Sequence, residues 1–275
     1  MNQLSDPHQK IRNLINPAGS RRALVVEGPD DKLFYERQLD AAHPTWRSTW
    51  VVGVATGKQR VLDILKLEPT WIGVVDTDES DATATDTHRA QHPNLHFTPR
   101  YCMESYYVLA AELWALLPTA IRASFPGGLP VFTAALNAPL DQWVRHGALW
   151  RVINPLWKGI RTRGFVDSLL DFSAAQNDGQ IKATLAAWDA YLDPARLFAD
   201  FQNELVAANG LPVDERLKTI VHGKHFFEDH VRVVLNNLFR RGQPAWGHAD
   251  WLNDLRKSQP AHPDFAPLWA AMQLP

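Results

Sequence analysis

One cysteine, Cys102, is present among 275 residues, which excludes an internal disulfide and any zinc site built from several thiolates. Cys102 itself reads as a small, half-buried residue. An excess of either charge is also missing. The 28 basic and 30 acidic side chains leave a formal net charge of -2, so no global field draws the chain onto nucleic acid and any such contact must be local. No apolar run approaches the ~18 residues that a membrane-spanning helix needs. The start, Met1-Asn2-Gln3-Leu4-Ser5-Asp6, lacks the basic and apolar stretches of a signal peptide, and the expectation is a cytoplasmic protein without membrane contact. Neither internal repeats nor low-complexity tracts interrupt the sequence.

What is present is a hydrophobic content of 45%, enough to pack one large domain or two modest ones. Residues 21 to 27, 49 to 55, 71 to 75 and 94 to 98 read as strands, with helices over 30 to 39 and 58 to 67 between them. The apolar runs are continuous, as in strands covered on both faces. These features predict an α/β fold with a mostly parallel four-stranded sheet, right-handed crossovers and flanking helices. The polar stretch from Asp76 to His92 reads as a solvated loop or short helix. From Met103 onward the pattern is helical, broken at Pro126-Gly127-Gly128, Asp193-Pro194, Gly210-Leu211-Pro212 and Arg241-Gly242-Gln243-Pro244. It includes an amphipathic helix from His225 to Phe239, with Phe227, Val231, Val234, Leu235 and Leu238 inward. The expected division is an N-terminal segment 1–20, a catalytic α/β domain 21–110 and a mainly helical domain 111–275 for substrate, dimer or partner binding.

Two strand ends carry carboxylates: Leu24-Val25-Val26-Glu27-Gly28 and Ile72-Gly73-Val74-Val75-Asp76-Thr77-Asp78. In an open α/β sheet the carboxyl edge is where ligands bind. Hard oxygen donors suit Mg²⁺, and extended alternation puts Asp76 and Asp78 on one side with Thr77 pointing away, while Glu27 approaches from a neighbouring strand. The alternative for any one aspartate is a turn former or helix cap. Gly28 suits a tight turn and Pro29 presets the helix. One of Asp30 and Asp31 is expected to cap that helix, and the other is open as a ligand to a second ion.

Val26-Glu27-Gly28-Pro29-Asp30-Asp31, some fifty residues before Val75-Asp76-Thr77-Asp78, resembles a Toprim domain, the catalytic fold of topoisomerases, bacterial primases and the overcoming-lysogenization-defect nucleases. Leu95-His96-Phe97-Thr98-Pro99, Met103-Glu104-Ser105-Tyr106-Tyr107 and His222-Gly223-Lys224-His225-Phe226 are similar to a narrower group that includes the Toprim effector of the PARIS anti-phage system. The likeness covers residues 20 to 110 and one patch beyond. It implies a Mg²⁺- or Mn²⁺-dependent nuclease, with one or two ions, in which Glu27, Asp76 and Asp78 are catalytic and hold metal and Asp31 and Glu104 complete the acidic cluster. Lys224 is implied as a catalytic cation, beside the alternative of a solvated surface lysine. Glu104 has a bland alternative too, as a glutamate stabilised in a first helical turn. The resemblance further implies antiviral defence as a toxic effector, an ABC-type or AAA ATPase partner, and tRNA or other RNA as substrate with DNA left open. Homodimerisation also stays open.

Other patterns compete. Asp76-Thr77-Asp78 with Ser80 has the look of a haloacid-dehalogenase phosphatase, with Asp76 as nucleophile and Asp78 as acid, though Ser80 falls one place late and Glu27 is left unused. A catalytically silent Toprim-like binding subunit is a third reading. Topoisomerase and primase activities lack their partner modules. Gly53-Val54-Ala55-Thr56-Gly57-Lys58-Gln59 fails as a Walker A loop in spacing and in its missing hydroxyl, and reads as a turn. His88, His92 and His96 read as solvated, not as a zinc site. Trp143, Trp150 and Trp157, near Arg145, Arg151, Lys158, Arg161 and Arg163, read as core or interface residues, with base stacking as the alternative; Asn154-Pro155 is expected to interrupt the helix there.

Overall fold

The computed structural model describes residues 7–15, 21–78, 80, 82–162 and 178–274. The continuous apolar runs become four parallel strands: β1 (Arg22–Val26), β2 (Trp50–Val54), β3 (Ile72–Val75) and β4 (Leu95–Phe97), in the order β2-β1-β3-β4. Val26 pairs with Val54 on one side and Val74 on the other, and Val75 pairs with Phe97, so all four carboxyl ends lie along one edge. The chain goes from β1 outward to β2 and then returns past β1 to β3. The order therefore reverses between β1 and β3, and a crevice opens outside their carboxyl ends.

Helices α1 (Pro7–Ile15) and α3 (Lys58–Leu67) cover one face. Ile11, Val61, Leu62 and Leu65 meet Val25, Val51, Val75 and Leu95 there in a single apolar cluster. Gly53 and Gly73 leave room for this approach: a Cβ at Gly53 would lie 2.5 Å from Ile11 Cγ1, and one at Gly73 2.7 Å from Val61 Cγ1. The other face is covered by α2 (Pro29–Ala42), whose Phe34 and Tyr35 stack with Tyr106 and Phe265. Between β3 and β4 the polar stretch forms α4 (Ala82–Gln91).

The helices after residue 110 do not gather into one body. Residues 110–138 and 223–274 pack with the sheet as one compact unit, and residues 139–222 form a second. In the first unit the C-terminal segment is tied to α2 by Arg37, which donates to the Arg256 and Lys257 carbonyls, and by Gln38, which donates to Pro260 and accepts from His262 N. The expected amphipathic helix is found as Gly223–Phe226, a π turn Phe227–Val231 and Arg232–Phe239; Phe227, Val231 and Leu235 are buried, while Val234 and Leu238 are half-buried.

In the second unit, Asn154-Pro155 does not interrupt: helix Leu140–Thr162 runs through Pro155. Proline costs a backbone hydrogen bond and crowds the preceding turn, but burial of Val144, Ala148, Leu156 and Ile160 holds the helix on both sides of it. Trp143 and Trp150 are half-buried and sandwich His146, and Trp150 also meets His222 edge-on at 4.7 Å, as expected of packing residues. The Trp157, Lys158 and Arg161 side chains and all of Arg163 lie outside the described residues. Among those described, no helix is long and apolar enough to cross a membrane.

Candidate active site at the carboxyl edge

β1 ends where Glu27 turns its side chain across the crevice: Oε1 accepts from the backbone N–H of Asp76 at 2.9 Å, joining the ends of β1 and β3. The loop beyond β3 is pinned on its far side. Thr77 N–H donates to Thr98 Oγ1 at 3.0 Å and Asp78 N–H to the Tyr101 carbonyl at 2.9 Å. Thr77 thus points away from the crevice, as the alternation predicts. Asp78 does not continue that alternation: its φ of 49° is left-handed, a conformation aspartate tolerates in tight turns, and its carboxylate lies 3.9 Å from Lys58 Nζ.

Helix α2 begins at Pro29 with Gly28 as its N-cap, so neither Asp30 nor Asp31 is the cap. Asp31 instead reaches back from the third helical position and accepts from Gly28 N–H at 2.8 Å. Asp30 faces away, paired with Arg256 at 3.4 Å. Glu104, in the turn Met103–Tyr107, is 8% exposed and lies 3.6 Å from His248 Nε2, whose Nδ1 is bonded to Glu228.

These groups act on one another. Asp31 is pushed up to about 7, by burial first and then by Glu27, Glu104 and Asp30, against the lowering pull of the Gly28 N–H. Asp76 is raised well above the ordinary carboxylate range by burial and by Asp31, Asp78, Glu104 and Glu27. Glu104 differs. Burial pushes it up, but hydrogen bonds from His248, its own backbone and Cys102 outweigh that and hold it low. His248 is raised in return, chiefly by its hydrogen bond to Glu104.

All five predicted carboxylates therefore gather at one edge, around Asp76. They do not converge to chelating distance: among the described residues no three Asp, Glu, His or Cys side chains are placed to hold a metal ion. One oxygen each of Glu27 and Asp31 is occupied by a backbone N–H, that of Asp76 across the crevice for Glu27 and that of Gly28 in its own turn for Asp31. The donor chemistry is all hard oxygen and fits Mg²⁺ or Mn²⁺ in kind.

Lys224 is exposed and forms no ion pair with a described residue. Its helix does pack on the Glu104 turn, because Gly223 brings its backbone against Cys102 and Ser105. A cation that reaches Asp76 directly is Lys58, whose Nζ donates to the Asp76 carbonyl at 2.9 Å and lies 3.4 Å from Ser80 Oγ. Its sequence signal is the Gly57-Lys58 turn into a helix, which lacks the spacing of a Walker A loop. His248 had no sequence signal, since the packing of distant elements brings it to Glu104.

Of the three histidines, His92 is buried, while His88 and His96 are half-buried. His92 is 8% exposed, His88 packs on Phe97, and burial holds both His92 and His96 below the ordinary imidazole range. Cys102 is fully buried. No protein-family model and no curated protein matches the chain.

Proposed function

We propose that the chain is a divalent-metal-dependent nuclease that cleaves phosphodiester bonds at the β1/β3 crevice. The observation that carries this reading is the gathering of Glu27, Asp31, Asp76, Asp78 and Glu104 at the carboxyl edge of a parallel sheet, where burial first and then the neighbouring charges raise the pKa of Asp76. Crowded carboxylates repel one another, and a cation relieves that repulsion. Asp76, Asp78 and Glu27 would hold the ion, with Asp31 and Glu104 beside them. A divalent cation supplies charge neutralisation at a phosphoryl oxygen and a more acidic water. Lys58 fixes the Asp76 carbonyl and presents an ammonium to a phosphate at the same edge. His248 orients Glu104 from behind, as partners of ligating carboxylates do. The resemblance of the strand-end motifs narrows the reading to a toxic effector of antiviral defence, held by an ATPase partner and acting on tRNA or other RNA, with DNA as the second substrate.

A phosphomonoesterase reading is favoured by one observation, the contact of Lys58 with Ser80 next to Asp76 and Asp78. The two readings separate at Glu27. Labelled tRNA, RNA and DNA, incubated with Mg²⁺ or Mn²⁺, should be cleaved by wild type and about 100-fold or more slowly by Glu27→Gln, Asp76→Asn and Lys58→Met. Cleavage unchanged in Glu27→Gln would sink the nuclease reading. Phosphate released from small esters, dependent on Asp76 and indifferent to Glu27, would replace it with the phosphatase.

A further inference from the structure

Beside the carboxylate edge lies a cavity of about 430 Å³, between the edge strand β4, helix α4 and the C-terminal turn Pro263–Phe265. Its volume falls within the ~300–1,000 Å³ of small-molecule sites. Thr77 and Ser80 form part of its wall, so it adjoins the loop that carries Asp76 and Asp78. A ligand with a phosphate at those aspartates has its neighbouring group at the cavity mouth.

The walls carry two kinds of chemistry. Phe97, Pro99, Pro267 and Leu268 supply apolar wall, and the Arg89 guanidinium stands 5.6 Å from the Phe97 ring centroid. Tyr35 comes from α2 and is 2% exposed, yet its buried hydroxyl has no hydrogen-bond partner. A buried hydroxyl left unpaired is costly, and a polar ligand atom is the natural partner. Burial, with help from Arg89, keeps His96 below its ordinary range, so its ring is neutral near pH 7 and can both donate and accept. Asp86 and Asp264 disfavour a purely anionic occupant, and the hydroxyl and imidazole disfavour a purely apolar one. A flat ring with donors and acceptors on its edge satisfies all of these groups.

We propose that this cavity receives the base of a nucleotide adjoining the scissile phosphate, so that the substrate is a strand or loop whose bases are free to leave the stack, and not an intact duplex. The inference rests on the nuclease reading above. A base paired and stacked in a helix cannot enter a walled cavity, whereas an unpaired one reaches it at little cost. Contact with the apolar wall gives affinity for any base, and the Tyr35 and His96 edges give preference among them.

The test uses the full chain with one oligonucleotide as single strand and as duplex, and with an abasic residue placed in turn at each position. Single strand should be cleaved at least about tenfold faster than duplex, and an abasic residue next to the cut should slow cleavage about tenfold. Leu268→Trp, which fills the cavity, should have the same effect, and the two changes together should be no worse than either alone. The abasic arm holds even if that variant folds poorly. Duplex cut as fast as single strand, or cleavage indifferent to both the abasic residue and Leu268→Trp but lost in Asp76→Asn, overturns the pocket and leaves the nuclease standing. Binding of the four nucleoside monophosphates, followed by calorimetry, marks the opposite failure. Base-selective binding that Leu268→Trp removes, in a chain that cleaves no nucleic acid with either metal, keeps a base pocket and sinks the nuclease.

Discussion

Asp76 sits at a strand end with four other carboxylates around it, and each removes water from it or repels its charge. At neutral pH the ionised form works against the fold unless a cation is present. Asp76→Asn keeps the shape, leaves the backbone N–H bonded to Glu27, and removes one of the repelling charges. In the presence of a chelator the variant should therefore be more stable than wild type by about 1 kcal/mol, or about 2–4 °C. Mg²⁺ should then raise the melting temperature of wild type more than that of the variant. Thermal unfolding with chelator and with Mg²⁺ checks both statements. A variant less stable than wild type in chelator, or equal Mg²⁺ shifts in the two proteins, would argue against a cation at Asp76. Glu27, Asp76 and Asp78 could be read from the sequence because strand ends fix where their backbones go. Lys58 could not, because a flexible side chain gives no sign of the direction it takes.

At the scale of elements, apolar continuity was enough to locate β1, β2, β3 and β4 within a residue or two, since buried parallel strands need apolar side chains on both faces. Helix α4 was legible only as a loop or short helix, because Ala82–Gln91 has almost no apolar stripe and gets its place from contact with β4. The helix through Pro155 departs from the sequence expectation for a related reason: packing on either side outweighs a local penalty. The contact between the Glu104 turn and helix Gly223–Phe226 joins pieces far apart in sequence, and it depends on the missing side chain of Gly223. A Cβ there would lie 2.3 Å from Ser105 Oγ, 2.8 Å from Cys102 Sγ and 3.0 Å from Ser105 N. The serine hydroxyl can rotate away, but the backbone N and the buried thiol cannot. Gly223→Ala should thus cost about 1–3 kcal/mol in denaturant unfolding and displace Glu104. Nuclease activity measured well below the melting temperature should fall about tenfold, and full activity in a destabilised variant would mean that the Glu104 turn does not serve the site.

For the molecule as a whole, the segment after β4 is locked to distant parts of its unit by Arg100, which is 2% exposed. Its guanidinium makes a forked bond to Glu112 at 2.7 and 2.8 Å, reaches Asp264 at 3.3 Å and stands over Tyr106. Burial pushes the Glu112 carboxyl up, but hydrogen bonds from His262 and Arg100 overcome it and the group titrates at about 2. A depressed carboxyl contributes stability that is present above its unfolded pKa, about 4.5, and is lost as pH falls toward 2. After discounting for partial exposure, Glu112→Gln should cost about 2 kcal/mol at pH 6 and clearly less at pH 3. Urea unfolding of both proteins at the two pH values gives the comparison, and a cost that does not shrink at pH 3 would mean the carboxylate charge is not what holds the clamp.

The same clamp argues that the compact unit carrying the sheet is larger than its sequence outline of 21–110. Phe34, Tyr35 and Tyr106 complete their packing with Phe265, Tyr107 with Phe227, Gln38 with Pro260 and His262, and Trp50 Nε1 with the Met272 carbonyl. A chain ended at residue 110 would expose these rings and leave Arg100 without Glu112 and Asp264. Each ring forfeits about 1.5–3 kcal/mol of burial, and together they exceed the roughly 5–15 kcal/mol that keeps an ordinary domain folded once the unpaired cation is added. Residues 1–110 should retain some helix by far-ultraviolet circular dichroism but show no cooperative thermal transition and little near-ultraviolet signal, whereas the full chain shows both. A sharp transition in the fragment would mean that the sheet and helices α1 to α4 are self-sufficient and that the C-terminal segment serves another purpose.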